Sequence, residues 1–250
     1  MGVPARKVRL LIDEFDFSTD TGGVTVQLTD EALDGTGLQM DGALYVPGFP
    51  SASIEHKGFY TGPQAGRLEA ELDARLGSEA PVTVAVLLDT RRVGNPAYVL
   101  EGTWGEQLTP EAPIKDLITL SGKWAAMPVR RGLVLLDGPV TATGAGTVVL
   151  LLADQASVGA AGATLFVLVR SVTGAVAPLT DDAALLVECD SAANMASPTT
   201  LGTVTFDGVG VVALEMAGAV ERYVRVRVTS LGGATAFTAA CVLCVDHVTG

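Results

Sequence analysis

One segment of this chain has the spacing of an amphipathic helix, and it constrains the fold more than any other feature of the sequence. Leu68, Leu72 and Leu76 recur every four residues, which places them on one face of a helix. Gly77 follows, where helices commonly end. The sequence therefore predicts a helix over residues 64–76. Nearly every other ordered segment has strand periodicity, so we expect one helix packed on an otherwise β domain.

Short apolar segments on both sides of the helix predict strands in the first half of the chain, separated by turn-forming residues. Residues 97–108 and 114–127 predict a β-hairpin. The acidic, glycine-rich residues 30–44 predict a long exposed loop. The other predicted strands of this half are 8–12, 24–28, 51–60 and 82–88.

The sequence of the second half predicts an antiparallel β-sandwich, because short strand segments alternate with turns of Gly, Asp and Ser. Tyr223, Arg225 and Arg227 alternate with valines, so they share one face of a half-buried strand. The organisation changes near residue 130, which predicts domains over 1–130 and 131–250. The predicted strands are 133–136, 147–152, 163–172, 184–189, 202–206, 209–215, 222–229 and 236–245.

Apolar residues make up 48% of the chain and the mean hydropathy is +0.41, which is high for a free-standing soluble protein. The longest apolar run, 148–153, is far shorter than the ~18 residues of a transmembrane helix. The first residues also lack the apolar region of a signal peptide. We therefore expect no membrane partner and a cytoplasmic product whose apolar surface other subunits cover.

The net charge of −12 argues against a protein that binds nucleic acid by its charge. Both halves are acidic, so neither offers the basic surface that replaces counterions on DNA. An acidic surface instead repels nucleic acid that passes nearby.

Residues able to carry out chemistry are few. Neither His56 nor His247 has ligand-forming neighbours at metal spacing. Cys241 and Cys244 have the spacing of a redox or zinc half-site, but within a strand they point to opposite faces. The sequence predicts no catalytic residue, metal or cofactor, and hence no enzyme. A hydrolase built from acids distant in sequence is the remaining catalytic alternative.

Short motifs carry a resemblance to a known family. The first half contains Glu14-Phe-Asp-Phe-Ser18, Val24-Thr-Val-Gln-Leu28, Tyr45-Val-Pro-Gly-Phe-Pro-Ser-Ala-Ser-Ile54, Gly58-Phe-Tyr60 and Leu76-Gly-Ser78. The second half contains Arg131-Gly-Leu-Val134, Gly138-Pro-Val-Thr-Ala-Thr-Gly144 and Arg222-Tyr-Val-Arg-Val226. In this order the motifs resemble the major tail (tail tube) proteins of long-tailed, siphovirus-type bacteriophages that infect actinobacteria.

The resemblance implies a mainly β fold, with an N-terminal tail-tube β-sandwich or barrel carrying one packed helix and a C-terminal immunoglobulin-like sandwich as decoration. It implies hexameric rings that stack into a tube around an acidic channel, through which genomic DNA passes without specific binding. The helix face of Leu68, Leu72 and Leu76 would pack on the outside of the barrel. The acidic loop would contact the next ring through Asp30, Glu31, Asp34 and Asp41.

The same resemblance implies partners and a location. The partners would be further copies of the chain, together with tail terminator, tape measure and distal tail proteins. The location would be the virion tail, assembled in the host cytoplasm.

Two other functions are compatible with a chain of this composition. One is a capsid or head decoration protein built from the same sandwich modules. The other is a carbohydrate-binding surface module carried by residues 131–250, although that half has few aromatic residues for stacking on sugars. Hexameric rings or hollow tubes would indicate the tube protein, whereas trimers or monomers would indicate decoration.

Overall fold

The computed structural model describes residues 8–34, 45–60, 67–76, 78, 80–88, 93–111, 118–126, 129–151, 157–158, 163–174, 178–179, 181–216 and 218–245. The fold is mainly β, as the sequence predicts, and its sheets are antiparallel. His247, which the sequence singled out, lies outside the described residues.

In chain order, the elements of the first half are β1 Arg9–Ile12, β2 Phe15–Asp16, β3 Thr21–Asp34, β4 Tyr45–Phe59, α1 Leu68–Arg75, β5 Val82–Leu87, β6 Pro96–Glu111 and β7 Thr119–Ala126. Those that follow are β8 Val129–Val140, β9 Gly144–Ala145, β10 Val149–Leu150, β11 Ser157–Val158, β12 Ala163–Thr173, β13 Ala183–Asp190, β14 Thr199–Phe206, β15 Gly210–Glu215, β16 Val220–Glu221, β17 Tyr223–Leu231 and β18 Ala236–Val245.

The chain folds into two compact units. The first contains Met1–Asp16, Ala85–Val99 and Arg130–Gly250, and the second contains Phe17–Val84 and Leu100–Val129. The boundaries between them fall inside β5 and β6, so each of these strands contributes to both units. The division by sequence into 1–130 and 131–250 stays a prediction.

The first unit is built on strands in the order β2-β1-β5-β6-β8-β18-β12-β15. Its central strands β12 and β18 are buried on both faces. Along β12, Leu165 and Val167 belong to one apolar cluster, whereas Phe166 and Leu168 belong to another. A strand covered on both sides has no polar face, which explains why the sequences of β12 and β18 are almost continuously apolar.

A second sheet of the first unit has the order β10-β17-β13-β14, with β9 beside β17. Its inward residues, such as Val187 of β13 and Val226 of β17, share an apolar cluster with Leu165 and Cys241 of the larger sheet. The two sheets therefore pack face to face as a sandwich. Every strand predicted in the second half is present within a few residues of its predicted bounds.

The second unit contains the sheet β3-β4-β7-β6 and helix α1. Strands β6 and β7 form the predicted hairpin, in which Glu111 pairs with Thr119. Strands β3 and β4 form a second and longer hairpin, which extends to the pairing of Asp34 with Tyr45.

Two sequence predictions in this unit were wrong. Residues 30–34 are not loop, because β3 continues through Asp34 and pairs along its length with β4. Cross-strand pairing thus outweighs the low strand preference of acidic residues. The remaining predicted loop residues, 35–44, lie outside the described residues.

The helix is also shorter than predicted. It covers Leu68–Arg75, and Arg67 before it is already extended. Leu76 leaves the helix in an extended conformation and forms a bridge with Gly105. This pairing with the sheet explains why the helix stops before the third leucine of its stripe. Residues 64–66 lie outside the described residues.

Candidate functional site

The four-stranded sheet of the second unit has one face covered with polar side chains. In the register of the strands, alternate residues of β3, β4, β7 and β6 share this face. We call these the polar face: Thr25, Gln27, Thr29, Glu55, Lys57, Gln107, Thr109, Glu111, Thr119, Ser121 and Lys123. All of them are exposed or half-buried. Phe59, at the end of β4, is an exposed aromatic ring opposite Thr119.

A shallow groove of about 460 Å³ crosses the strands of this sheet, and its lining includes most of the polar face. Hydroxyl and amide groups line it beside charged ones. Gln107 Nε2 donates a hydrogen bond to Thr109 Oγ1 over 2.9 Å, which satisfies these groups within the surface itself.

The polar face carries one recorded ion pair and one facing position of opposite charges. Lys57 Nζ lies 3.4 Å from Glu111 Oε2, across the intervening strand β7. The Thr119 hydroxyl also donates to Glu111 Oε2, at 3.5 Å. Lys123 lies directly opposite Glu55 in the register of β4 and β7. Opposite charges at directly facing positions attract one another.

The other face of the sheet is apolar and centres on Trp124, Ile54 and His56, all of which are buried. Trp124 Nε1 donates a hydrogen bond to His56 Nδ1 over 3.4 Å. His56 Nε2 has no hydrogen-bond partner within the described part of the chain. Burial lowers the pKa of His56 to about 4, so the imidazole is neutral at neutral pH. The ring lies against Gly122, where a Cβ atom would clash with it.

Helix α1 covers this apolar face. Leu68 and Leu72 are buried, and a Cβ atom at Gly58 would lie only 2.5 Å from Leu68 Cδ2. On the helix surface, Arg75 Nη1 lies 2.6 Å from Glu71 Oε2, one turn away. Leu76, the third leucine predicted to pack, lies past the helix end and is 44% exposed.

The acidic residues predicted to contact a neighbouring ring lie mostly on β3. Asp30 pairs with Pro50 and Asp34 with Tyr45, and Glu31 lies at the register shift between them. Asp41 lies outside the described residues. Among the described strands, β3 pairs with β4 alone, so it forms the edge of its sheet. Leu28 on this edge strand is 46% exposed.

The first unit contains a network of four charged residues. Asp137 Oδ1 accepts from Arg9 Nη1 at 2.6 Å and from Arg170 Nη2 at 2.9 Å. Asp16 Oδ2 lies 2.9 Å from Arg170 Nη1 and 3.4 Å from Arg9 Nε. Burial raises the pKa of Asp137 above its ordinary value, and the two arginines oppose that rise. The network joins β1, β2, β8 and β12.

Strand β17 confirms the predicted sharing of one face by Arg225 and Arg227. Both approach the buried Glu188 of β13, at 2.6 and 3.3 Å. The alternating valines of this strand point into the sandwich core. Sequence reasoning missed Glu188 as their common partner, because the pairing of β13 with β17 is not visible from spacing.

The described residues show little that resembles a catalytic or metal centre. Cys241 and Cys244 belong to clusters on opposite faces of β18, as their spacing predicts. Burial raises the pKa of Cys241 above its ordinary value, which disfavours the reactive thiolate. No group of three His, Cys, Asp or Glu residues in the described ranges could hold a metal ion. No helix within those ranges is long and apolar enough to cross a membrane.

No protein-family model matches this chain, and no curated protein matches it in sequence. Several solved structures are similar at low identity. A chain of the PVC sheath–tube complex, from an extracellular contractile injection system in the extended state, matches with a TM-score of 0.41 and 12% identity, over 53% of this chain and 93% of that one.

Two further structures match at a similar level. The SPP1 tail tube matches with a TM-score of 0.41 and 11% identity, over 52% of this chain and 78% of that one. A chain of the native gene transfer agent virion matches with a TM-score of 0.37 and 13% identity, over 51% of this chain and 95% of that one. Each match spans about half of this chain.

Proposed function

We propose that this chain is a structural subunit of a phage-type tail tube and has no catalytic role. The observation that carries the proposal is the second unit's sheet, which has one polar face, one face covered by α1, and the long edge strand β3. Four of the eight sequence motifs that resemble tail tube proteins lie wholly in this unit. A protein that works by assembly needs surfaces and edges rather than reactive groups.

Ring formation would occur through the edge of β3. An exposed strand edge can pair with another chain and so cause aggregation. Closing a sheet across subunits pairs every edge and removes this risk. Six copies are the number that the family resemblance implies. Head-to-tail stacking of such rings is a heterologous contact, which generates a filament.

Further elements have proposed positions in the tube. The segment containing Asp30, Glu31, Asp34 and Asp41 would contact the next ring, and α1 would lie outside the channel sheet. Residues 131–250 would form a decoration domain. Tail terminator, tape measure and distal tail proteins would meet the tube ends in a virion tail assembled in the host cytoplasm.

The polar face would line the channel through which the genome passes. Its hydroxyl and amide groups are well hydrated, and none of the residues that define it is an arginine. An acidic channel is the sequence prediction. On the polar face, Glu55 and Glu111 are the carboxylates that would contribute to it, and each stands beside a lysine.

Electron microscopy of the purified full chain in negative stain tests the proposal. We expect hexameric rings or hollow tubes at high protein concentration and near-physiological salt. Dispersed monomers under those conditions would contradict the tube function, and trimers would favour the decoration alternative.

A pair of variants tests the role of the β3 edge. Leu28→Asp places a charge on the edge strand and should abolish tubes while leaving a folded monomer. Val209→Asp makes the same change at a 53% exposed position of the first unit, and it should assemble like the parent chain. Normal tubes from the Leu28 variant would exclude β3 as the ring interface.

A deletion tests the stacking contact. Removing residues 34–41 should leave single rings and prevent long tubes. If tubes still assemble normally, this segment is not the element that joins one ring to the next.

A further inference from the structure

A row of paired residues crosses the four-stranded sheet of the second unit on the face that α1 covers. We call it the apolar row, and in the order of the strands it contains Val26, Ile54, Trp124, Gly105 and Leu76. Residues that face one another on neighbouring strands point to the same side of a sheet. A Cβ atom at Gly105 would lie 3.5 Å from Trp124 Cζ3 and 3.9 Å from the Arg75 carbonyl oxygen, so this position also faces the covered side.

The middle of the apolar row is closed to solvent, whereas its two ends are not. Ile54 and Trp124 are buried. Val26, at one end, is half-buried. Leu28, which follows it on the same face of β3, and Leu76, at the other end, are exposed to nearly the same degree, 46% and 44%. The subunit therefore presents apolar side chains at both ends of one row.

Both ends of the apolar row lie at edges of the sheet. Strand β3, which carries Val26 and Leu28, pairs with β4 alone among the described strands. Gly105 pairs with Trp124 on one side, so its bridge to Leu76 lies on the side away from β7. Leu76 forms no other strand pairing within the described residues. The two apolar ends thus stand at the same level along the strands, one on each side of the sheet.

We propose that Leu76 of one copy packs against Val26 and Leu28 of the next copy in the ring, so that the ends of the apolar row meet across the subunit interface. The partner of each exposed end is therefore a second copy of this chain. This inference rests on the proposed function, in which the β3 edge joins a neighbouring subunit. It names the opposite surface of that contact and puts it on the α1 side of the sheet, outside the channel.

The register of the sheet is the reason for this assignment. Single exposed leucines are common on protein surfaces and need no partner. Here, however, a sheet that continues from one copy to the next brings these particular positions together, because neighbouring strands lie about 4.8 Å apart and facing side chains touch. A stagger of two residues between copies keeps the contact apolar, since Val24, Val26 and Leu28 share one face of β3.

The contact is also heterologous, because the Leu76 end of each copy meets the β3 end of the next. Contacts of this kind close into a ring when the rotation between copies allows it. Within one copy the two ends cannot meet, since Val26 and Leu76 are separated by four strand spacings, or about 19 Å.

Disulfide cross-linking of assembled tubes of the full chain tests the contact. Leu76→Cys is combined in turn with Val24→Cys, Val26→Cys and Leu28→Cys, and the tubes are oxidised. A disulfide needs Cα atoms within about 7 Å of each other, so the new bonds can form only between copies. The three native cysteines are buried and do not compete.

At least one of these double variants should give a ladder of covalent oligomers on a denaturing gel without reductant, because each copy links to the next. Each single cysteine variant should remain monomeric, since a heterologous contact does not bring the same position of two copies together. The matched control combines Leu28→Cys with Leu150→Cys, at a 45% exposed leucine of the first unit, and it should give no ladder.

A substitution measures what the contact contributes to assembly. Leu76→Asp replaces an apolar side chain at the interface by a carboxylate that would have to lose its water. The protein concentration needed for half-maximal assembly should rise by about tenfold or more, while the variant stays folded by circular dichroism. Leu150→Asp makes the same change at nearly the same exposure and should assemble like the parent chain.

The outcomes separate this inference from the proposed function. Absence of rings and tubes from the wild-type chain overturns both. Tubes in which every double cysteine variant stays monomeric after oxidation overturn the contact but not the tube, and so does an equal loss of assembly in Leu76→Asp and Leu150→Asp. If Leu28→Cys or Leu76→Cys resists a maleimide in the dissociated subunit, the chain itself covers that position, which also overturns the contact.

Discussion

Strands β12 and β18 of the first unit and strands β3 and β4 of the second are all long antiparallel strands, but they use their two faces differently. In β12 and β18, consecutive residues enter apolar clusters on opposite sides, and none of the central positions reaches solvent. In β4, Ile54 and His56 on one face are buried, whereas Glu55 and Lys57 on the other face are half-buried or exposed. No described side chain of its partner β3 is buried. The first arrangement stabilises the subunit by itself, and the second leaves surfaces for contacts with other molecules.

The largest effect should come from the doubly buried strands. Phe166 on β12 is fully buried in the cluster with Val242 and Leu87. Phe166→Ala should lower the free energy of unfolding by about 3–5 kcal/mol, because it removes buried area and leaves a cavity. Chemical denaturation measures this loss. Gln27→Ala on the polar face is the control, and its free energy of unfolding should lie within about 0.5 kcal/mol of the parent value. Similar losses for both variants would remove the contrast between the units.

His56 tests how well the covered face of the second unit excludes water. Its pKa is about 4 in the folded chain, from an ordinary value of 6.5. Between these values the unfolded chain binds a proton that the folded chain does not. Stability should therefore be full above about pH 6.5 and fall by about 3 kcal/mol as the pH drops to about 4.

The variant His56→Gln should lack this part of the pH dependence. Denaturant unfolding of both proteins over that pH range gives the difference in slope, which is independent of any constant cost of the substitution. Equal slopes would show that His56 is hydrated in the folded chain, and that the helix covers the sheet less tightly than the structure has it.

Gly58 tests the contact between α1 and the sheet. A Cβ atom there would lie 2.5 Å from Leu68 Cδ2 and 2.6 Å from the Asp20 carbonyl oxygen, which is part of the backbone. Gly58→Ala should therefore cost about 1–3 kcal/mol through overpacking. Gly23→Ala, where no atom lies within 4 Å of the new methyl, should show no such loss in thermal or chemical unfolding. A neutral Gly58 variant would mean that the helix can shift outward.

The smallest effect belongs to the polar face. Lys57→Ala should change the free energy of unfolding by no more than about 1 kcal/mol, because the Lys57–Glu111 pair is exposed to solvent. The same denaturation experiment measures it. A loss as large as that expected for Phe166 would show that the polar face holds the subunit together, and the distinction between the two kinds of sheet would fail.

Periodicity was enough to predict the fold class, because alternating burial leaves a direct trace in the sequence. It identified β17 through its three valines and the helix through Leu68 and Leu72. It failed where the determining interaction is distant in sequence. Asp30 and Asp34 have the composition of a loop, yet pairing with residues 45–50 makes them strand. The contact of Leu76 with Gly105 likewise ends the helix early.

The candidate site was harder to predict for the same reason. Lys57 and Glu111 are adjacent only because β4, β7 and β6 lie side by side, an order that no local pattern encodes. Spacing alone suggested a thiol pair at Cys241 and Cys244, and strand geometry correctly separated them. The charges of the polar face could be counted from the sequence but not matched to one another.

The passage of β5 and β6 between the two units has a consequence for how such a protein can change through recombination. Leu11, Ala85 and Val99 share one apolar cluster with Phe166 and Val242. A crossover at a single point near residue 130 would join partners whose side chains have never packed together. We therefore expect related chains to differ by insertions in surface turns or by exchange of whole genes. Recombination that replaces only one terminal half should be rare.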